Sequence, residues 1–249
     1  MLCRGVGSDT KPATNCIISR MLVLSLDTTS RAGSCALVRD GRVVRVQAGD
    51  TAREQGGQLP GTLATLLDRE SVTLGEIDGY GVAIGPGSFT GLRVGIATMQ
   101  GLAMATGKPL VGVSALAALA VLAGAGRETP AGHARVVTWI EAWRGDVFSA
   151  VYDGGRALGE PIVAHPNDLL HRLEGAAVFI GDGAARHMDV IRAAWGNKAH
   201  FAAPIAPALA GAVATVASEV LRSGEQPSPH AIRPLYVRRF DTGLRPSPV

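Results

Sequence analysis

Residues 85–95 constrain the fold of this chain more than any other stretch of its sequence. They read Gly85-Pro86-Gly87-Ser88-Phe89-Thr90-Gly91-Leu92-Arg93-Val94-Gly95. An apolar run at residues 81–84 precedes them and a long apolar segment follows. The pattern therefore predicts a tight turn that joins a buried strand to a helix. Ser88 or Thr90 is suited to cap that helix, because a hydroxyl can accept a hydrogen bond from a free N–H group of the first turn.

Two interpretations of this turn are open. Backbone N–H groups at the N-terminus of a helix can hold a phosphate, and Gly85, Gly87 and Gly91 would let a phosphate approach the backbone. The same glycines can serve only a tight turn and a close helix contact, since glycine adopts positive φ angles and has no side chain. The turn alone does not decide between ligand binding and packing.

The remaining sequence alternates strand-like and helix-like segments, which is typical of an α/β protein. Asp40-Gly41 lies between two apolar runs and favours a two-residue hairpin turn. The order of elements after residue 135 partly repeats the order before it, which predicts two related halves. The predicted strands are 21–27, 33–39, 42–48, 78–84, 109–113, 135–141, 146–153 and 177–181, and the predicted helices are 56–69, 91–106, 114–124, 184–195 and 207–222.

Composition limits the classes of protein to which the chain can belong. Apolar residues make up 47% of the sequence, which is ample for a core. The formal charge is +3, and the first twenty residues carry two of those charges, so the charge is weak evidence for direct nucleic-acid binding. Cys3, Cys16 and Cys35 lack metal-ligand spacing and are typical of a reducing cytoplasm. No apolar stretch is long enough to predict a membrane span.

The N-terminal twenty residues are expected to lie outside the fold. They contain no continuous apolar segment of the signal-peptide type, and a buried strand begins directly at Met21. We therefore predict that residues 1–20 are a disordered leader or that translation starts at Met21. The predicted organisation is this leader, an N-terminal half at 21–118 and a C-terminal half at 119–249.

Four segments together carry a family resemblance. Residues 85–95, 21–30, 108–116 and 234–239 resemble, in this order and spacing, the motifs of the bacterial TsaB family, and the resemblance covers about residues 21–240. It implies an α/β fold of the duplicated actin/sugar-kinase/Hsp70-like (ASKHA) type, with two ribonuclease H-like halves.

The resemblance also implies a function in tRNA modification. TsaB proteins are noncatalytic partners that activate a TsaD-like transferase, which attaches a threonylcarbamoyl group to the adenosine next to the anticodon. A TsaC-like synthase supplies threonylcarbamoyl-AMP, and a TsaE-like ATPase joins the assembly. The alternative is an autonomous ATP-dependent kinase or transferase of the same fold, and a glycoprotease-type peptidase ranks below both.

A nucleotide site of this fold would lie between the two halves. Asp27, Thr29 and Ser30 occupy the position of the first phosphate hairpin, and Gly181 and Gly183 resemble a remnant of the adenosine loop. The segment after Glu141 lacks the paired glycines and the threonine of nucleotide-binding relatives. We therefore expect no resident cofactor and at most weak binding of ATP or ADP.

The sequence predicts no metal site. The TsaD family places two histidines four residues apart at the start of the helix after residue 114, so that both face one metal ion. This chain has no histidine there, and its six histidines form no such pair.

The two helices at 56–69 and 91–106 are the predicted partner-binding elements. In the family this helix pair forms a four-helix contact with TsaD or with a second copy of the same chain. We expect tRNA to be contacted only through the complex, and no contact with a membrane. The candidate interface residues are Leu59, Leu63, Leu67, Arg93, Met99 and Gln100.

Overall fold

A computed structural model describes residues 20–30, 32–49, 55–124 and 135–237. The side chains of residues 55–60 lie outside the described part, and so does the predicted leader except for its last residue. Among the helices that the structure describes, none is both long and apolar enough to cross a membrane.

The first half is a five-stranded mixed sheet with helices packed on it. In the sheet the strand order is β3-β2-β1-β4-β5. β1 pairs antiparallel with β2 and parallel with β4. The elements of this half are β1 (Leu22–Asp27), β2 (Ser34–Arg39), β3 (Arg42–Ala48), α1 (Gln55–Arg69), β4 (Gly79–Gly85), α2 (Phe89–Thr106) and β5 (Leu110–Ser114).

The second half contains a sheet with the strand order β11-β10-β6-β7-β8, and β9 also pairs with β7. β6 pairs antiparallel with β7 and parallel with β10. The elements are α3 (Ala115–Leu122), β6 (Arg135–Glu141), β7 (Val147–Asp153), β8 (Arg156–Ala157), β9 (Ile162–Ala164), α4 (Pro166–Leu170), β10 (Ala177–Ile180), α5 (Asp182–Arg186), α6 (Met188–Trp195), β11 (Ala199–Phe201) and α7 (Ala210–Arg222).

The two sheets share one topology. In each, the first strand of the half is central, a hairpin partner lies antiparallel on one side, and a strand reached later in the chain lies parallel on the other. This common plan confirms the prediction of an α/β chain with two related, ribonuclease H-like halves, as in the actin/sugar-kinase/Hsp70-like fold.

The C-terminal helix α7 joins the halves, because it packs on the first sheet although it comes from the second half of the sequence. It contacts β1, β2 and β4. The Ser25 hydroxyl donates a 2.6 Å hydrogen bond to the Ala210 carbonyl, and the Ala210 N–H donates a 3.1 Å bond to Ser34 Oγ. A Cβ on Gly81 would lie 3.0 Å from the Cβ of Ala217, so the strand and the helix approach closely.

One apolar cluster contains residues from both sheets and from α3 and α7. Its members include Val23, Val111, Leu116, Ile140 and Ala214, all of which are buried. The boundary predicted after residue 118 falls inside α3 (Ala115–Leu122). Each half also has an apolar cluster of its own, and the shared cluster joins the two.

The helix predicted at 184–195 is two helices in the structure. At His187 the backbone has φ −105° and ψ 21°, which interrupts the helical conformation between α5 and α6. The predicted alternation also missed β11 and α4, which are only 3 and 5 residues long. Segments this short do not show a hydrophobic period.

We predict that residues 21–124 do not fold alone. Without α7, the first sheet would expose Val23, Val38 and Ala83, which are buried in the shared cluster. Burial of such side chains is the main favourable contribution to folding. Urea unfolding followed by circular dichroism should give a cooperative transition for residues 21–249 and none for the fragment. Restoration of the transition by a fused segment 207–224 is the positive control, and a cooperative transition in the unfused fragment would refute the prediction.

Candidate functional site

The glycine turn lies between β4 and α2. Its glycines Gly85 and Gly87 have φ values of 110° and 155°, which side chains rarely allow. Ser88 is the N-cap of α2, and its hydroxyl accepts a 3.2 Å hydrogen bond from the N–H of Gly91. Thr90 lies exposed in the first turn of the helix. The geometry is the predicted strand-to-helix turn, with Ser88 as the capping residue.

The glycine turn packs directly on the turn that follows β1. The Ser88 N–H donates a 2.8 Å hydrogen bond to the carbonyl of Thr29. A Cβ on Gly87 would lie 2.5 Å from that carbonyl oxygen, and a Cβ on Gly95 would overlap Oγ1 of Thr28. The missing side chains at Gly87 and Gly95 are therefore required by close packing within the chain. Of the two interpretations of the turn, the structure favours packing over phosphate binding.

The C-terminal segment closes the other side of the turn. The Leu235 N–H donates a 2.7 Å hydrogen bond to the carbonyl of Ile84. A Cβ on Gly85 would lie 3.1 Å from the carbonyl oxygen of Leu235. The Gln100 side chain of α2 donates a 2.7 Å bond to the carbonyl of Pro229. Residues 229–235 are thereby tied to both ends of the strand–turn–helix unit.

A cleft of about 350 Å³ separates the turn after β1 from the N-terminus of α5. We call it the inter-half cleft. It brings together Asp27, Thr29, Ser30 and Gly181 of the predicted nucleotide site, whereas Gly183 is not part of its lining. Its remaining lining residues are Ala32, Gly33, Ala48, Leu119, Ile140, Asp182, Ala206, Pro207, Ala208 and Leu209.

Asp27 is a buried carboxyl group at this cleft. Its Oδ1 accepts a 2.9 Å hydrogen bond from the Thr29 N–H and a 2.6 Å bond from the Thr29 hydroxyl. Burial raises the pKa of Asp27 above its ordinary value because it disfavours the charged form; the two hydrogen bonds oppose this shift, and the charge of Asp182 adds to it. The carboxyl is thus occupied by its own turn and is disfavoured as an anion.

The cleft does not fit a nucleoside triphosphate well. Among the described residues that line it, none is a lysine or an arginine, whereas two are aspartates. A Cβ on Gly181 would overlap the carbonyl oxygen of Trp139, and one on Gly183 would lie 3.0 Å from the carbonyl carbon of Ile140. These glycines let β10 and α5 approach β6, so close packing within the chain accounts for them, and we derive no chemical step through a nucleotide.

The turn between β6 and β7 is also used for internal contacts. The Glu141 N–H donates a 3.0 Å hydrogen bond to Asp182, and the Glu141 carboxylate lies 3.2 Å from Nε of Arg186. Arg144 adopts φ 62°, and the side chain of Trp143 is 64% exposed. Glu141 is therefore a structural link to α5, while Trp143 faces outward.

The predicted interface residues divide into core and surface positions. Leu63, Leu67 and Met99 are buried in the core of the first half, with at most 8% exposure. The expectation that they contact a partner directly is corrected, because α1 and α2 turn these side chains toward their own sheet. Arg93 is exposed and Gln100 is half-buried. Leu59 lies in α1, outside the described side chains.

A second cavity was missed by sequence reasoning. It has a volume of about 320 Å³ and lies where the glycine turn, the β6–β7 turn and the C-terminal segment meet. Phe89, Trp143 and Tyr236 line it, together with Arg144 and Asp146. Because these residues come from three distant segments, no local pattern connects them. We call it the aromatic cavity.

A metal centre has no support in the described residues. Residues 20–30, 32–49, 55–124 and 135–237 contain no group of three or more His, Cys, Asp and Glu side chains arranged to hold a metal ion.

Two glycines of α2 provide a matched test of the packing interpretation. Gly95→Ala should lower the free energy of unfolding by about 1–3 kcal/mol, because the new methyl group overlaps Thr28. Gly101→Ala should raise it by about 0.5–1 kcal/mol, because a Cβ there meets no other atom within 4 Å. Urea unfolding measures both changes. Equal effects at the two positions would contradict the close contact at Gly95.

Replacement of Asp27 should change the dependence of stability on pH. Since the folded chain raises the pKa of Asp27, it binds this proton more tightly than the unfolded chain does. The stabilising contribution of Asp27 to the free energy of unfolding is therefore complete below the pKa that Asp27 has in the unfolded chain. It declines as the pH rises toward the pKa that Asp27 has in the folded chain. Asp27→Asn should reduce the loss of unfolding free energy above about pH 4. Urea unfolding at several pH values checks this, with the exposed Asp68→Asn as control, and an unchanged pH profile in Asp27→Asn would refute it.

The chain matches the family model of TsaD, tRNA N6-adenosine threonylcarbamoyltransferase, over residues 49–233. It is 32% identical over 173 residues to the tRNA threonylcarbamoyladenosine biosynthesis protein TsaB of Escherichia coli (strain K12), an alignment that covers 66% of this chain and 72% of the relative. It is 25% identical over 185 residues to the protein of the same name from Bacillus subtilis (strain 168), covering 72% and 78% of the two chains.

Comparison with solved structures also finds a similar protein. YeaZ from Pseudomonas aeruginosa superposes with a TM-score of 0.68 at 28% identity, covering 87% of this chain and all of that chain. Sequence and structural similarity therefore agree over most of the described residues and confirm the predicted resemblance. The chain belongs to the TsaB family, within the wider group of proteins that the TsaD family model describes.

Proposed function

We propose that this chain is a noncatalytic subunit that binds and activates a TsaD-like transferase in the formation of threonylcarbamoyladenosine next to the tRNA anticodon. The observation that carries the proposal is the outer face of α1 and α2. Small side chains are exposed there although no contact within the described part of the chain requires them to be small. This surface, the small-residue face, consists of Gly61 and Ala64 of α1 and Ala97 and Gly101 of α2, all exposed.

The glycines of the small-residue face have no internal explanation. A Cβ on Gly61 or Gly101 would meet no atom of the described residues within 4 Å, and neither glycine has a positive φ angle. Glycine inside a helix destabilises it by about 0.5–1 kcal/mol relative to alanine. Close approach of another helix is a physical reason to keep a glycine at such positions, since the two backbones can then meet.

The small-residue face is supported from beneath and flanked by larger side chains. α1 packs on α2, and Leu63 and Met99 fill the space between the helices and the sheet. Met104, 55% exposed, lies one helical turn beyond Gly101. Methionine adapts its shape to irregular surfaces, so a small central area beside Met104 suits a helix–helix interface.

The noncatalytic role is supported by the state of the inter-half cleft. Asp27 is bound by Thr29, and the glycines that resemble nucleotide-binding loops pack on the chain's own backbone. The proposal includes no resident cofactor and at most weak binding of ATP or ADP. It includes a TsaE-like ATPase as a further member of the assembly, a second copy of this chain as a competitor for the same face, and a cytoplasmic location.

A bulky side chain at Gly101 is the direct test. Gly101→Leu should weaken capture of the TsaD-like transferase by about 5- to 150-fold, because overpacking costs about 1–3 kcal/mol and about 1.4 kcal/mol corresponds to tenfold in affinity. Titration calorimetry with the purified transferase measures the affinity. Ala193→Leu, on the exposed side of α6, is the matched control, and it should leave capture unchanged.

The same variants should be assayed in reconstituted tRNA modification, with the TsaC-like, TsaD-like and TsaE-like components, threonine, bicarbonate and ATP. Modification should require this chain and fall with Gly101→Leu but not with Ala193→Leu. Modification that proceeds equally without the chain, or ATP turnover by the chain alone, would overturn the proposal in favour of an autonomous enzyme.

A further inference from the structure

The aromatic cavity lies between the halves and is lined mainly by three segments, to which β7 and β9 add Phe148 and Val163. Pro86, Gly87 and Phe89 come from the glycine turn and the start of α2, residues 142–146 from the β6–β7 turn, and residues 235–237 from the C-terminal segment. Its volume of about 320 Å³ lies near the lower end of the range for small-molecule sites. The cavity is therefore large enough for one heterocyclic ring system and too small for an extended chain segment.

Three aromatic side chains at this cavity are exposed to an unusual degree. Phe89 is 46% exposed, Trp143 is 64% exposed and Tyr236 is 58% exposed. The rings of Phe89 and Tyr236 lie 6.1 Å apart, and Trp143 packs edge-on against Phe148 at 6.2 Å. Large exposed apolar side chains that cluster around a cavity are typical of binding sites. All three residues therefore remain accessible at the cavity, although Arg93 stacks on one face of Phe89.

Two arginines accompany these rings. The guanidinium carbon of Arg93 lies 3.9 Å from the centre of the Phe89 ring, a stacked cation–π arrangement. Arg144 directly follows Trp143 and lines the cavity. Asp146 also lines it and is buried. The buried carboxyl repels an anion from the interior, whereas exposed Arg93 attracts one at the rim.

We infer that the aromatic cavity binds one unpaired nucleotide of an RNA, with the base among Phe89, Trp143 and Tyr236 and the phosphate at the arginine rim. Bases stack on aromatic side chains whatever their sequence, and exposed arginines hold the phosphate. The choice of RNA rests on the proposed function, in which the chain acts in tRNA modification. This contact would be direct, in contrast to the expectation that tRNA is touched only through the complex.

The charge at the rim distinguishes RNA from a peptide as the occupant. An apolar anchor side chain of a partner protein would pack against the rings but would bring no negative charge to Arg93 and Arg144. A nucleotide supplies both a planar ring and a negative charge, so it satisfies both kinds of group. RNA binding at this site should consequently weaken as salt increases, because phosphate contacts release bound counterions.

The test uses the whole chain and two probes, AMP and a fluorescein-labelled anticodon stem-loop RNA. Anisotropy measures RNA binding, and tryptophan fluorescence reports on AMP. Trp139 is fully buried and Trp195 is half-buried, so the quenching that is lost in Trp143→Ala is assigned to the exposed Trp143. Trp143→Ala should weaken binding of the RNA by about tenfold or more, in line with the contribution of base stacking. Trp143→Phe should retain most of it, and Leu158→Ala, at an exposed apolar residue outside the cavity, should change nothing.

Circular dichroism of Trp143→Ala checks that the exposed tryptophan is not needed for folding. Arg144→Ala is a second test variant, and its affinity for RNA should be lower and should depend less on salt. RNA binding that is equal in Trp143→Ala and the parent chain overturns the inference, as does AMP quenching without any RNA binding. Capture of the TsaD-like transferase that is lost in Trp143→Ala would instead identify a protein as the occupant. Gly101→Leu should leave RNA binding by the isolated chain unchanged, so failure of this inference is distinguishable from failure of the proposed function.

Discussion

The contact between the turn after β1 and the start of α2 determines much of this structure. The Ser88 N–H donates to the Thr29 carbonyl, and Thr28 packs where a side chain at Gly95 would otherwise lie. Because this contact holds the N-terminus of α2 against the sheet, it fixes the direction in which the helix leaves the turn. This direction decides which side chains of α2 enter the core, and it leaves the opposite side of the helix exposed.

The same contact uses groups that a nucleotide-binding turn would offer to a ligand. A phosphate at the start of α2 would need free N–H groups and space, but the Ser88 N–H is bonded to Thr29, the Gly91 N–H is capped by Ser88, and Thr29 lies against Gly87. On the other side of the inter-half cleft, Asp182 accepts bonds from Glu141 and Gly183. Both loops that would hold a ligand thus make hydrogen bonds within their own half. Polar groups around the inter-half cleft thus serve internal contacts. Asp27 is one of them, since it is buried and accepts hydrogen bonds from Thr29.

Local sequence patterns predicted the turns and helix faces that depend on residues close together in the chain. Asp40 and Gly41 have φ values of 54° and 78°, as a two-residue hairpin turn requires. Leu92, Ile96 and Ala103 lie on the buried face of α2, as their helical spacing predicts. The same spacing contained Met99, and burial of this face removes Met99 from the interface. Periodicity indicates that a face is apolar, but it does not indicate whether its own sheet or a partner covers it.

Contacts between distant parts of the chain could not be predicted from the sequence, because no short pattern encodes them. The packing of α7 on the first sheet joins residues that are 185 positions apart, as in the hydrogen bond from Ser25 to Ala210. The aromatic cavity likewise depends on three segments, and neither Trp143 nor Tyr236 belongs to an aromatic-rich run. Only the exposure of Trp143 and its place in a turn distinguish it from a core tryptophan such as Trp139.

The two proposed binding surfaces share one helix, and this has a geometric consequence. Phe89 and Arg93 lie at the N-terminal end of α2, whereas Gly101 and Met104 lie near its C-terminal end. At 1.5 Å per residue, the 18-residue helix is about 27 Å long, so the two surfaces are roughly 15–20 Å apart along its axis. In the proposed complex, a transferase on the small-residue face and a nucleotide in the aromatic cavity would be separated by about this distance along α2. Since the glycine turn fixes α2 at the cavity end, the helix can act as a rigid spacer between a bound partner and an unpaired base.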